Sequence, residues 1–227
     1  MAFRKKAEFI LSLKPDILIV PECEHPDKQK FKSGLIAPTD VLWFGSNSNK
    51  GLGIFSYSDY KFKLLEVYNP MLKTIIPLSV TNRKHSFTMF AIWANNLEDH
   101  EGHYIEQVWK AIHYYENLLS DKNTILIGDF NSNTIWDKKH REGNHSDVVK
   151  FLEQKGIHSV YHFRQKSEHG SEKHPTLFMY RHEDKPYHVD YCFASNDFLE
   201  KLSNVEVGKF GDWSGKSDHS PLIVDFV

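Results

Sequence analysis

Apolar residues recur along this chain with two different periods. Phe3, Ala7, Ile10 and Leu11 fall at helical spacing, with Arg4, Lys5, Lys6 and Glu8 on the other side, which predicts a helix over 3–13. Pro15 ends it, and residues 16–20 (Asp-Ile-Leu-Ile-Val) form a short β-branched run of the kind that makes a buried strand. Further strands are predicted at 41–44, 51–56, 62–68, 74–80 and 85–93, parted by Asn, Gly, Ser, Asp and Pro. Ile105, Val108, Trp109, Ile112, Tyr115 and Leu119 repeat along 104–119 and predict an amphipathic helix of about four turns. Residues 124–127 (Thr-Ile-Leu-Ile) read as a second buried strand, and 146–155 as a second short helix. Strands return at 158–163, 176–181, 187–194, 204–210 and 220–226.

Strands thus outnumber helices by about three to one and do not alternate strictly with them. That argues against a TIM barrel or a doubly wound parallel sheet. Two sheets packed face to face with helices outside suit the order better, so the predicted fold class is α+β.

Length and charge narrow the picture. The chain has 227 residues, 40% hydrophobic and 26% charged, with no linker, repeat or compositional break, so a single domain spanning 1–227 is expected. A formal charge of −2 means that a polyanion would have to be gripped locally rather than by bulk charge. Cys23 and Cys192 make no disulfide framework, and a reducing, cytoplasmic setting is the expectation. No run approaches the length of a membrane span, and the opening Met-Ala-Phe-Arg-Lys-Lys does not read as a signal-peptide core.

Carboxylates collect just past the ends of the most buried strands. Glu22 follows Ile-Val-Pro, Asp129 and Asn131 lie in Gly-Asp-Phe-Asn, Asp190 in His-Val-Asp-Tyr, and Asp218 and His219 in Ser-Asp-His-Ser-Pro. Each has an ordinary reading alone: a surface glutamate, a turn, a paired aspartate within a sheet, a loop before a proline. Together they are harder to dismiss, because a charge taken into a core costs several kcal/mol unless it is paired or metal-bound. Oxygen donors without a Cys/His cage select a hard cation, Mg²⁺ or Mn²⁺.

These four motifs, in this order, resemble those of the endonuclease/exonuclease/phosphatase superfamily, which includes exonuclease III, abasic-site endonucleases, deoxyribonuclease I, sphingomyelinases and inositol-polyphosphate phosphatases. The resemblance spans nearly the whole chain. It implies a four-layer αββα sandwich of two mainly antiparallel sheets and Mg²⁺- or Mn²⁺-dependent phosphoester hydrolysis. It also implies roles: Glu22, with Asp129 and Asp218 nearby, for the metal; Asp129 and Asn131 for the attacking water and the phosphate; His219 as the catalytic histidine; and Asp190 behind it. The chemistry is consistent, since a phosphodiester carries negative charge that must be neutralised, and an Asp behind a His favours its protonated form.

Three positions depart from the family pattern. Pro21 stands where a glutamine normally precedes the glutamate, and Trp93 stands where abasic endonucleases carry a tyrosine, though Trp93 and Asn96 remain candidates for substrate contact. The family's opening strand, ending in Trp-Asn, has no counterpart ahead of the helix at 3–13, so the expectation is either that the true start lies upstream or that the first strand is missing and its neighbours unpaired, with a strand-exchange dimer as one outcome.

Other signals are weaker. Residues 45–51 (Gly-Ser-Asn-Ser-Asn-Lys-Gly) lack the P-loop pattern and read as a solvated turn. His100, Glu101 and His103 match no zinc spacing, His140, Arg141 and His145 are open between phosphate contact and none, and Trp136 either stacks on a base or packs. Residues 166–174 read as a mobile loop. The expectation is a divalent-metal-dependent phosphoesterase, foremost a nuclease acting on DNA or RNA. Its rivals are an esterase for phospholipid head groups or small phosphate esters, and a non-catalytic binding protein.

Overall fold

The computed structural model describes residues 3–29, 34–72, 74–95 and 104–227. Asn96, His100, Glu101 and His103 lie outside the described residues. Helix α1 (Phe3–Leu11) leads into β1 (Ile17–Cys23), β2 (Asp40–Asn47), β3 (Lys50–Ser56), β4 (Lys61–Leu64), β5 (Ile75–Thr81) and β6 (Ser86–Trp93). Then come α2 (Ile105–Tyr114), β7 (Thr124–Asp129), α3 (His145–Gln154), β8 (Ile157–Ser159) and α4 (Val160–Gln165). The chain closes with β9 (Leu177–Phe178), β10 (Pro186–Tyr187), β11 (Asp190–Ser195), α5 (Asn196–Leu199), β12 (Leu202–Val207), α6 (Phe210–Trp213) and β13 (Leu222–Phe226).

Six strands form one sheet in the order β4-β5-β6-β7-β11-β8, antiparallel except where β6 meets β7. Alternation along β6 shows how the layers arise. Phe90 and Ile92 point to the face covered by α2 and α3, where they meet Val108, Ile112, Val148 and Leu152. Met89, Ala91 and Trp93 point to the other face. There they meet Leu52 and Ile54 of β3, Ile17 and Ile19 of β1, and Leu222, Val224 and Phe226 of β13. Helix α1 covers the far side of β1 and β3 through Phe3 and Ala7 against Val20 and Phe55. Each such side chain contributes about 1.5–3 kcal/mol when fully buried. The result is the expected α+β, four-layer αββα sandwich.

The second sheet layer is in two pieces, β1-β3-β2 and β12-β13, and both pack on the same core. Between them lies a cavity of ≈ 460 Å³, walled by β1 on one side and by residues 220–226 on the other. Among the described residues, β1 pairs only with β3 and β13 only with β12, so each turns an unpaired edge to the slot. Among the described residues, no strand occupies the slot between these two edges.

Several elements differ from the pattern-based expectation. The helix expected over 104–119 ends at Tyr114 and continues as a 3₁₀ turn, Glu116–Leu118. Tyr115 turns inward at that break, packing on Phe90 while its hydroxyl accepts from the Asn69 N–H at 2.9 Å. The strand expected over 158–163 stops at Ser159 and becomes α4, because Val160, Tyr161 and His162 are all buried, which a half-exposed strand could not achieve. The strand expected over 176–181 is reduced to β9, followed by a 3₁₀ turn with Tyr180 at φ +56°. Helices α5 and α6 are single turns with too few residues to show a period.

Candidate active site

Gly128 places the first acidic group. At φ +142° it lies so close to β6 that a Cβ there would stand 1.9 Å from the Ile92 carbonyl oxygen, so only glycine fits. Asp129, next along β7, is 2% exposed. Asn131 grips both of its oxygens: the backbone N–H donates to Oδ1 and the side-chain amide to Oδ2, each at 2.8 Å. The same amide donates to the Ala94 carbonyl at 2.8 Å, tying the turn to the end of β6. Asn131 holds φ +47°, a left-handed conformation that asparagine tolerates better than most residues.

Strand register supplies the second acid. Asp190 is the direct antiparallel partner of Asp129, so the two side chains share one face. His219 comes from the segment before β13, bridged to Leu177, and its Nδ1 lies 2.8 Å from Asp190 Oδ2. Ligand atoms of Asp129, Asp190 and His219 all lie within 4.8 Å of one another.

The charges are strongly coupled. Burial, and after it the Asp190 charge, drive the Asp129 carboxyl well above the usual carboxylate range. Packing around His219 would by itself lower its pKa, but the Asp190 contact and the charges of Asp129 and Asp218 outweigh that and raise it to about 10. The imidazolium–carboxylate pair is therefore the resting state at neutral pH.

Of the residues singled out by sequence, Asp129, Asn131, Asp190 and His219 come together, and Glu22 and Asp218 line the same cavity. Glu22 sits at a β-bulge between Val20 and Cys23 with φ +56°, and its Oε1 meets Lys50 Nζ at 2.6 Å. A bulge re-aims a side chain at the end of a strand, and Pro21 is tolerated there because the ladder is broken. Trp93 is packed in the inter-sheet core at 5% exposure, with Lys50 Nζ 5.3 Å from its ring centre. His145 is buried on α3 beside His169, and Arg141 pairs with Glu106. Trp136 is 43% exposed and packs on Tyr187, with ring centres 5.1 Å apart.

Sequence reasoning missed Lys6. Helical spacing counts it among the outward residues of α1, yet it lines the cavity and its Nζ lies 3.3 Å from Ser217 Oγ. Burial lowers its pKa, opposed chiefly by the Asp218 charge. The available signal was its position three residues after Phe3 and four before Ile10, which puts it on the edge of the buried face.

No family model and no curated protein matches the sequence. Solved structures do. An AP endonuclease from Archaeoglobus fulgidus aligns with TM-score 0.66 and 17% identity, covering 99% of this chain and 95% of that one. A 3' phosphatase from Neisseria bound to product DNA hairpin gives 0.64 and 16%, covering 100% and 96%. An endonuclease/exonuclease/phosphatase family protein from Leptotrichia buccalis gives 0.58 and 15%, covering 99% and 92%. The chain has the endonuclease/exonuclease/phosphatase fold. Among the described residues, no helix is long and apolar enough to cross a membrane.

A hard divalent cation fits this donor set. Asp129 and Asp190 are two carboxyls held face to face in a partly buried site, and burial together with the Asp190 charge favours the protonated form of Asp129 even with His219 beside them. A cation in place of that proton would relieve the repulsion.

Proposed function

We propose that this protein is a divalent-metal-dependent phosphoesterase, and that its substrate is a nucleic acid whose phosphodiester bonds it hydrolyses. The observation that carries the reading is the Asp190–His219 pair at 2.8 Å beside the buried Asp129, on the wall of a cavity in this fold. Asp129, with Glu22 and Asp218 on the same cavity wall, would hold Mg²⁺ or Mn²⁺. Bound there, such an ion supplies neutralisation of the non-bridging phosphate oxygens and Lewis-acid polarisation.

The chain's own groups do the rest. Asp129 is the acceptor poised to orient the attacking water, and Asn131 keeps both of its oxygens in place. His219, kept protonated by Asp190, donates to phosphate oxygen as negative charge develops, and Asp190 fixes the ring through Nδ1. Lys6 and Lys50 bring positive charge to the same region. Support for a polymeric substrate comes from the half-exposed Trp136 just beyond Asn131, where a base can stack, and from a fold neighbour solved with a DNA hairpin.

The test is hydrolysis of DNA, RNA and phosphate monoesters with and without Mg²⁺ or Mn²⁺. Metal-dependent cleavage of a polymer, falling steeply with salt, is the expected result. Turnover confined to small esters and indifferent to salt would overturn the nucleic-acid substrate. Equal turnover in EDTA would overturn the metal.

A further inference from the structure

Consecutive strand residues face opposite ways, so Tyr191 points away from the site that Asp190 faces. Around Tyr191 the structure gathers histidines with no part in the chemistry above. His162 Nε2 lies 3.0 Å from Glu172 Oε1, and its Nδ1 lies 2.7 Å from Ser159 Oγ. The same Glu172 oxygen accepts from the Gly170 N–H at 3.0 Å and from Asn133 Nδ2 at 3.1 Å. His169 stacks on His162 with ring centres 3.5 Å apart, and its Nδ1 faces His145 Nε2 at 3.2 Å.

This is an expensive way to fill an interior. The His162 and Glu172 side chains are only 7% and 5% exposed. Two further ring nitrogens nearby, His145 Nδ1 and His188 Nε2, are buried and have no hydrogen-bond partner. His188 Nδ1 faces the His174 carbonyl at 2.8 Å and must donate to it, which leaves Nε2 as a bare lone pair. A buried, unsatisfied polar atom is destabilising, and apolar residues would fill the volume without that penalty.

Ligand atoms of His162, His169 and Glu172 lie within 4.8 Å of one another, close enough to converge on one ion. We propose that these three residues bind a first-row transition metal, zinc foremost, on the face of β11 opposite the catalytic carboxylates. Two imidazoles and a carboxylate select Zn²⁺ over the hard Mg²⁺. The surroundings match what such ligands need. Ser159 Oγ, 2.7 Å from His162 Nδ1, is placed to accept from Nδ1–H once Nε2 is given to the ion, while Gly170 and Asn133 steady Glu172. Binding requires the His169 ring to tilt off its stack and moves the His162 proton from Nε2 to Nδ1; water completes the tetrahedron. The ion would staple the 166–174 segment to α4, and through Asn133 it would brace the turn that carries Asn131. The proposal stands apart from the hydrolytic reading, since it invokes none of the same side chains.

The test uses the full chain, stripped with EDTA, dialysed into Mg²⁺ to occupy the carboxylate site, and titrated with Zn²⁺ calorimetrically and with Co²⁺ by visible absorption. About one equivalent of Zn²⁺ should be retained through dialysis, and Co²⁺ should develop the intense visible bands of a low-symmetry, imidazole-containing site. His169→Ala, which alters a partly exposed loop side chain, and Glu172→Gln should each weaken Zn²⁺ binding at least tenfold and remove the Co²⁺ bands. Asp190→Asn should leave both intact. If Glu172→Gln does not fold, His169→Ala decides alone. Zinc lost on dialysis of the parent protein, or held equally by folded His169→Ala, would overturn the proposal, the latter marking adventitious surface binding.

Discussion

Asp190 stands directly opposite Asp129 in the β7–β11 ladder, so strand register holds two carboxyl groups on one face of the sheet. Like charges directly opposite one another destabilise a sheet. A slip of one residue would turn Asp190 to the other face and separate them. That the register keeps them together, with His219 hydrogen-bonded to one of them, is the local conflict expected of a working site.

Asp129→Asn and His219→Ala should each lower turnover by about 10²–10⁴ while the circular dichroism spectrum stays that of the parent. Near-normal rates in either variant, with metal present, would place the chemistry elsewhere.

In metal-free protein, His219 should titrate far above its ordinary value of about 6.5, near 10, because Asp190 favours the imidazolium. A raised folded-state pKa means the pairing stabilises the fold fully below about pH 6.5 and loses that contribution as pH rises through about 10. Asp190→Asn should bring the ring's NMR titration down toward the ordinary range and flatten this part of the stability profile. A parent ring titrating below 6.5 is the contrary result.

Crystals soaked in Mn²⁺ should show anomalous density beside Asp129, within reach of Glu22 and Asp218. Density only among His100, His103 and His145 would sink that assignment of the carboxylates.

Gly128→Ala should be strongly destabilising, by about 1–3 kcal/mol or more, since the new methyl would collide with the Ile92 carbonyl and the residue would be left at φ +142°. Chemical denaturation measures this. An unchanged midpoint would mean that β6 and β7 can separate freely.

The slot between β1 and β13 should accept one extended strand. Phe3 and Ile10 of α1 line it, and the α1 N-terminus lies at the far end of β1, where the Phe3 N–H donates to Glu24 Oε2 at 2.7 Å. An apolar strand fused ahead of Met1 would run parallel to β1 and satisfy both edges, each buried unpaired peptide group otherwise costing about 1–3 kcal/mol. Melting temperature and turnover should rise together. A stable monomer whose melting temperature and turnover ignore the fusion would show that the slot needs no strand.

Sequence by itself determined what depends on neighbours along the chain. The apolar runs at 17–20 and 124–127 are strands because few other conformations bury consecutive apolar residues at that length, although Ile17, Leu18 and Ile19 are only half-buried beside the slot. The acidic and histidine motifs were legible for a related reason: polar groups stand out against apolar runs, and four in order resemble a known pattern. The tertiary structure decided what depends on partners far apart in sequence. Register made Asp129 and Asp190 face each other, and the meeting of α1 with the segment at Ser217 turned a helix-edge lysine into part of the cavity. The histidines of α3, α4 and the 166–174 segment share no spacing, and only their packing around Tyr191 brings them together. Local periodicity reports which face of an element is buried; which other element covers that face is set by long-range pairing, and no single segment encodes it.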